Sequence, residues 1–284
     1  MRLIDNLSSF FLSIYFGSVE RYVRRVVEKE SIPGLNRQLH RWFVSRYAVQ
    51  TLEYLGEIDE SWRHRQFCFS QEGEDLILSR LFVGQEKGFF VDIGAFEPIR
   101  FSNTYLFYVK GWRGINVDST PNSMDAFRRV RPEDSNIEAF VSDKRGPVEF
   151  YMFKEGALNT SSKDIVRKHS LSEPKYKNDR IVTLVGRRLD DILDEYMPSN
   201  TEIDFLNVDV EGAELNVLKS NNWETYRPRV LLIEQLGTVA EKMQQYETTI
   251  FLDELNYRLL YKTYNTSFFI DKTVESDLSM MVSV

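Results

Sequence analysis

The 284 residues, 42% hydrophobic and 28% charged, have an ordinary globular balance, with room for one large domain and an appendage or for two small domains. The net charge of −7 argues against a nucleic-acid partner, because phosphate binding rests on Lys and Arg. The single Cys68 excludes an internal disulfide and fits a reducing compartment, and His40, His64 and His169 form no HxxxH pair of the kind a zinc hydrolase uses.

Residues 1–65 read as a helical extension. Apolar residues from Leu3 to Val27 recur at three-and-four spacing, Pro33 and Gly34 break the pattern, and a second helix is expected over about 35–55. From Glu20 to Gln50 there are seven Lys or Arg against three Glu. That balance suits a helix packed on the main domain or on a second copy of the chain, and equally a helix resting on an anionic membrane. The apolar run FFLSIYF (10–16) is too short to span a bilayer. Asp5 and the lack of a small-residue cleavage site make it a poor signal peptide, so the expected location is cytoplasmic, or peripheral to the membrane's inner face.

From Phe69 onward, strand-length apolar runs alternate with helical stretches. Strands are expected at 89–94, 114–118, 136–143, 148–153, 203–209 and 229–234, and helices at 71–82, 102–110, 122–129, 187–196, 212–220 and 245–256. Near-continuous apolar strands between helices imply a parallel sheet covered on both faces. Residues 257–271 read as a closing hairpin around a turn containing Asn265, which gives an α/β outline of the class I methyltransferase type. The polar stretch from about 156 to 177 has no strand pattern and is expected to be a loop or lid.

Ligands of an open parallel sheet bind beyond the carboxyl ends of its strands, so the residues that end each strand carry the argument. The first strand ends FFVDIG, with Asp92 inside its end and Gly94 opening the turn, where a glycine admits close approach of backbone. GxGxxG is absent, which disfavours a pyrophosphate cradle. Asp118 ends the second strand, 24 residues past Gly94, where a carboxylate can take both hydroxyls of a ribose. Ser142 and Asp143 end the third, beside the expected place of an adenine. Asp209, Glu211 and Glu234 crowd the rim at the next two strand ends. Clustered acids raise one another's pKa, which suits a general base, and they can also hold a divalent cation through oxygen. Glu214 reads as a helix first-turn acid.

The segments FSQEGEDLIL (69–78), GFFVDIGAFEP (88–98), FSNTYLFYVKGWRGINVD (101–118), RLDDIL (188–193), IDFLNVDVEGAELNVL (203–218) and RPRVLLIE (227–234) resemble, in that order, the FkbM-type methyltransferases. The resemblance covers about residues 67–272 and not the extension. It implies a Rossmann-like class I methyltransferase domain over 66–284, a mostly parallel sheet with a C-terminal antiparallel hairpin, and S-adenosylmethionine as cofactor. It further implies methyl transfer, usually to a hydroxyl oxygen, and leaves the acceptor open; a sugar or glycan is the expected acceptor, such as a surface polysaccharide or a lipid-linked glycan that the basic N-terminal helix would suit. A non-sugar small molecule is the alternative, as is a non-catalytic domain that keeps the fold for interaction.

Carried over by residue, the resemblance puts Asp92 and Gly94 at the cofactor's amino-acid end, Asp118 on the ribose, and Ser142 with Asp143 at the adenine. Glu72 and Asp75 would help close the pocket, and Asn103 and Thr104 would meet cofactor or substrate. Asp209 is the expected base, with Glu211 or Glu97 next. A divalent cation such as Mg2+, if used, would sit on Asp209, Glu211 and Glu234. The chain departs from the family in having no histidine at Phe96 or Glu97, where many relatives carry one, and Asp118-Ser119 where they often carry Glu-Pro. A homo-oligomer and membrane contact through the N-terminal helix complete the expectations.

Overall fold

The computed structural model describes residues 66, 68–172, 179–235 and 246–274. The expected extension at 1–65, with its membrane or packing role and its domain boundary, lies outside them. Strand β1 (Phe89–Ile93) is buried along its whole length. It pairs in parallel with β2 (Arg113–Asp118), and β2 pairs in parallel with β3 (Ser135–Glu138). On its other side β1 pairs with β7 (Phe205–Val208), which pairs with β8 (Val230–Glu234), both in parallel. The hairpin of β9 (Tyr257–Lys262) and β10 (Thr266–Asp271) joins antiparallel through β10, giving the order β3-β2-β1-β7-β8-β10-β9. This is the Rossmann-like sheet of class I methyltransferases, antiparallel C-terminal hairpin included.

Alternation along the strands feeds two cores. Val91, Ile93, Val117, Leu206 and Ile233 point to a face covered by α5 (Leu189–Tyr196), α6 (Glu214–Lys219) and α7 (Glu247–Glu254). Phe90, Phe205, Leu232 and Phe268 point the other way, onto α1 (Glu74–Leu81) and α2 (Tyr105–Lys110). Trp112 and Tyr105 belong to this second core. Burying each large side chain contributes about 1.5–3 kcal/mol, so both faces of the strands must be apolar. In α5, Leu189, Ile192 and Leu193 supply the buried stripe, and Asp190 with Asp191 suit its N-terminal dipole.

Three expectations change. Residues 136–143 do not form one strand. The chain leaves the main sheet at Ala139, and β4 (Phe140–Val141) pairs in parallel with β6 (Arg180–Arg187). Strand β5 (Pro147–Met152) joins the same small sheet, antiparallel to β6, instead of the parallel one. The stretch expected as a loop holds a short 3-10 turn (Gly156–Leu158) and helix α4 (Lys163–Ser172). A further helix, α3 (Met124–Val130), follows β2. Among the described residues no helix is long and apolar enough to cross a membrane.

Candidate functional site

The strand order reverses between β1 and β7, and a cleft opens beyond their carboxyl ends, enclosing about 1110 Å³ with its mouth included. Gly94 fixes how closely the two strands meet. Its φ is +86°, and a Cβ there would lie 1.6 Å from the Asp209 carbonyl oxygen, so no other residue fits. The Gly94 and Ala95 amides both donate to Val117 O, tying the turn to β2. Asp118 ends β2 and accepts from the Phe96 amide at 3.0 Å and the Thr120 amide at 2.7 Å. Burial pushes its carboxyl up, and those amides oppose the push.

Asp92 is the polar interruption of β1 on the α2 side. Its two oxygens accept from Thr104 Oγ1 and Asn207 Nδ2, each at 2.8 Å. Asn207, two residues before the acid that ends β7, also accepts from Asn103 Nδ2 at 2.9 Å. Asp92, Asn103 and Asn207 line the cleft floor.

The opposite end is acidic. Asp209, Glu211 and Glu234 each bring a carboxylate oxygen within 4.8 Å of the others, a separation that one divalent cation can bridge. Burial, then the charge of Glu214, pushes Asp209 up to about 7. Burial, then Asp209 and Glu214, pushes Glu211 up to about 8. Glu234 is held higher still, to about 11, by burial, by the other three acids and by a hydrogen bond to Asp209. Burial and mutual repulsion therefore keep a proton shared within this pair at neutral pH.

The loop bearing two of these acids is shaped from both sides. Glu214 accepts from the Gly212 amide at 2.9 Å and the Val210 amide at 3.3 Å, so its carboxylate organises the turn before α6. Thr160 donates to Glu211 O at 2.6 Å. Glu211 itself takes φ +54°, and Phe96 and Phe101, also on the cleft wall, take +51° and +58°. The other described non-glycine residues at positive φ are asparagines, which tolerate it. Backbone strain in bulky residues thus gathers at the cleft.

Asp92, Gly94, Asn103, Asp118, Asp209, Glu211 and Glu234 all reach the cleft, and six other expected residues do not. Ser142 and Asp143 lie past it, because β4 has turned away to β6, and Ala139, Phe140 and Val141 form the wall instead. Glu97 points outward, paired with Arg100 at 2.9 Å. Asp75 is buried and accepts from Ser70 Oγ and the Phe69 amide, both at 2.8 Å. Thr104 is buried beneath the floor, between Asp92 and Arg131. Glu72 stays outside the cleft but accepts from the Asn265 amide at 3.0 Å, and so anchors a residue that lines it.

Sequence reasoning missed Glu74, Asn207, Thr266, Asn159 and the aromatic wall of Phe101, Phe140 and Phe150. The signal for Asn207 was present: an amide inside an apolar parallel strand needs a buried partner. Glu74 accepts from Thr266 Oγ1 at 3.2 Å, a contact spanning 192 positions that no local pattern announces.

A family model for the methyltransferase FkbM domain matches residues 92–259. The crystal structure of methyltransferase FkbM from Methylobacillus flagellatus KT is similar, with a TM-score of 0.40 and 13% sequence identity. That likeness covers 67% of this chain and 47% of the other, so the chain matches about half of its length. No curated protein matches the chain.

Proposed function

The chain belongs to the FkbM methyltransferase family, and on that premise we propose that it is an S-adenosylmethionine-dependent O-methyltransferase acting on a hydroxyl of a sugar or glycan. The observation that carries the reading is the cleft at the strand-order switch, with carboxylates at both ends and one glycine at its narrowest point. The donor set fits a nucleoside that bears an amino acid and no phosphate. Asp118 would take the ribose hydroxyls with the lone pairs its two amide contacts leave. Asp92 and Asn103 would meet the amino-acid end, and Ala139, Phe140 and Val141 would pack on the base.

Bound S-adenosylmethionine supplies a methyl group already activated by its sulfonium. The chain's residues have two remaining tasks, to orient the acceptor and to take its proton as the new bond forms. Asp209 suits the second task, since a carboxyl near 7 is partly ionised at neutral pH. Glu211 stands next to it in this role. Glu97 does not, because it is turned out of the cleft to Arg100. If a divalent cation takes part, Asp209, Glu211 and Glu234 would hold it. The aromatic wall offers a stacking surface for a sugar ring.

Calorimetric titration with S-adenosylhomocysteine tests the reading. The wild-type protein is expected to bind at micromolar concentration. Asp118→Ala is expected to weaken binding by about tenfold or more, the loss of hydrogen bonds to a charged acceptor. Methyl transfer to a glycan panel, with and without magnesium, then identifies the acceptor. Folded protein that does not bind S-adenosylhomocysteine would overturn the methyltransferase reading and leave an interaction domain.

A further inference from the structure

Arg131 is a full charge with no exposed surface, set just beyond α3 and outside the cleft. Such a group costs several kcal/mol to bury and persists only when its partners compensate. Asp134 accepts from Nε at 2.9 Å, and the guanidinium lies 5.2 to 5.6 Å from the ring centres of Phe90, Tyr108 and Phe127. Those contacts account for Nε and the faces of the group, while Nη2 has no hydrogen-bond partner among the described residues and Nη1 also reaches Ser102 Oγ at 3.4 Å. The other edge is aimed at the site: Nη1 donates to Thr104 Oγ1 at 2.9 Å, and Thr104 Oγ1 donates to Asp92 Oδ2 at 2.8 Å.

Arg131 constrains the direction of the bonds in this chain. A guanidinium has no acceptor, so the Thr104 oxygen must receive from it. The one hydroxyl proton of Thr104 then has two acceptors in reach, Asp92 Oδ2 at 2.8 Å and Ser102 Oγ at 3.3 Å, and the shorter contact to the carboxylate takes it. That oxygen of Asp92 accepts, and Asn207 independently presents its amide nitrogen to Oδ1 and its oxygen to Asn103, the arrangement that an ionised Asp92 requires. A single buried charge thereby reaches Asp92 on the cleft floor through one hydroxyl beneath it.

We infer that Arg131 and Thr104 are positioning residues, which hold Asp92 as an acceptor-only carboxylate directed at the amino-acid end of the cofactor. The inference rests on the cofactor reading above. Burial pushes the Asp92 carboxyl up, and Asn207, Arg131 and Thr104 hold it down. Removing the hydroxyl of Thr104 cuts the relay without changing side-chain volume or any residue that lines the cleft.

The experiment compares two ligands on the full chain by calorimetry. S-adenosylhomocysteine carries the amino-acid end, and 5′-methylthioadenosine has the same nucleoside and thioether without it. Thr104→Val is expected to weaken S-adenosylhomocysteine by about tenfold and to change 5′-methylthioadenosine by less than about twofold. Thr104→Ser, which restores the hydroxyl, is expected to recover the wild-type affinity. Arg131→Met should repeat the selective loss, but the Thr104 pair decides the matter even if that variant does not fold. Equal weakening of both ligands would mean that Thr104 only supports the fold and would overturn the inference. Unchanged affinity for S-adenosylhomocysteine in Thr104→Val would overturn it as well. Wild-type protein that binds neither ligand would instead overturn the cofactor reading, and this inference with it.

Discussion

Glu234 shows how a single side chain sets the pH response of the site. Its folded-state carboxyl is raised by burial and by three neighbouring acids, and Asp209 and Glu211 are raised with it. The unfolded chain releases these protons near pH 4, whereas the folded chain keeps them to pH 7 and above. Between those limits the folded state binds more protons, so stability falls as pH rises. Stability from these groups is fully present below about pH 4 and is lost progressively as pH rises from there, to about 7 for Asp209, about 8 for Glu211 and about 11 for Glu234. Glu234→Gln keeps the shape and removes one titration. Without added metal or ligand, it is expected to melt higher than wild type at pH 8 and no higher at pH 5. The gain is about 2–4 °C for each kcal/mol recovered. Equal shifts at both pH values would sink the argument. The rim acids were legible in the sequence because each follows a strongly apolar strand. Glu74 was not, because its cleft partner Thr266 is on the last strand.

The loop from Asp209 to Ala213 makes the same point for an element. Its left-handed residues, Glu211 and Gly212, bend the chain around the Glu214 carboxylate, which two backbone amides share. Glu214→Ala leaves both donors without that acceptor, and loss of a helix-cap contact of this kind costs about 1–2 kcal/mol. The variant is expected to melt lower and to bind S-adenosylhomocysteine with little change, since Glu214 lies behind the acidic rim. Thermal unfolding and calorimetry on one preparation check both halves. The helix after this loop was legible from its apolar spacing. Helix α4 was not: no apolar residue follows Ile165 or Val166 at three or four positions, where Lys168, His169 and Ser170 stand. The break at Ala139 was hidden for a different reason. Apolar residues continue on both sides of it, and nothing local records that the strand has changed sheets.

For the molecule as a whole, the apolar runs make a parallel α/β core nearly unavoidable, but the order of the strands is a property of long-range pairing. Strand β10 is an inner strand of the sheet although late in sequence, with β8 and β9 bonded on either side and all six residues buried. Hydrogen exchange read by mass spectrometry is expected to find 266–271 as slow as 89–93, with both released only on global unfolding. Early exchange of 266–271 alone would show that the hairpin is a separable flap.

The tie between Glu72, Glu74 and the Asn265–Thr266 turn acquires another meaning during synthesis. The two ends of these contacts are separated by 192 and 193 positions. A nascent chain that stops short of Thr266 already carries Asp92, Asp118 and the whole acidic rim. It lacks the strand that finishes the sheet and the turn that finishes one wall of the cleft. A ribosome-bound intermediate would thus expose the unpaired edge of β8 and own the site's chemistry without its enclosure, so ligand can rescue the finished fold but not the unfinished one.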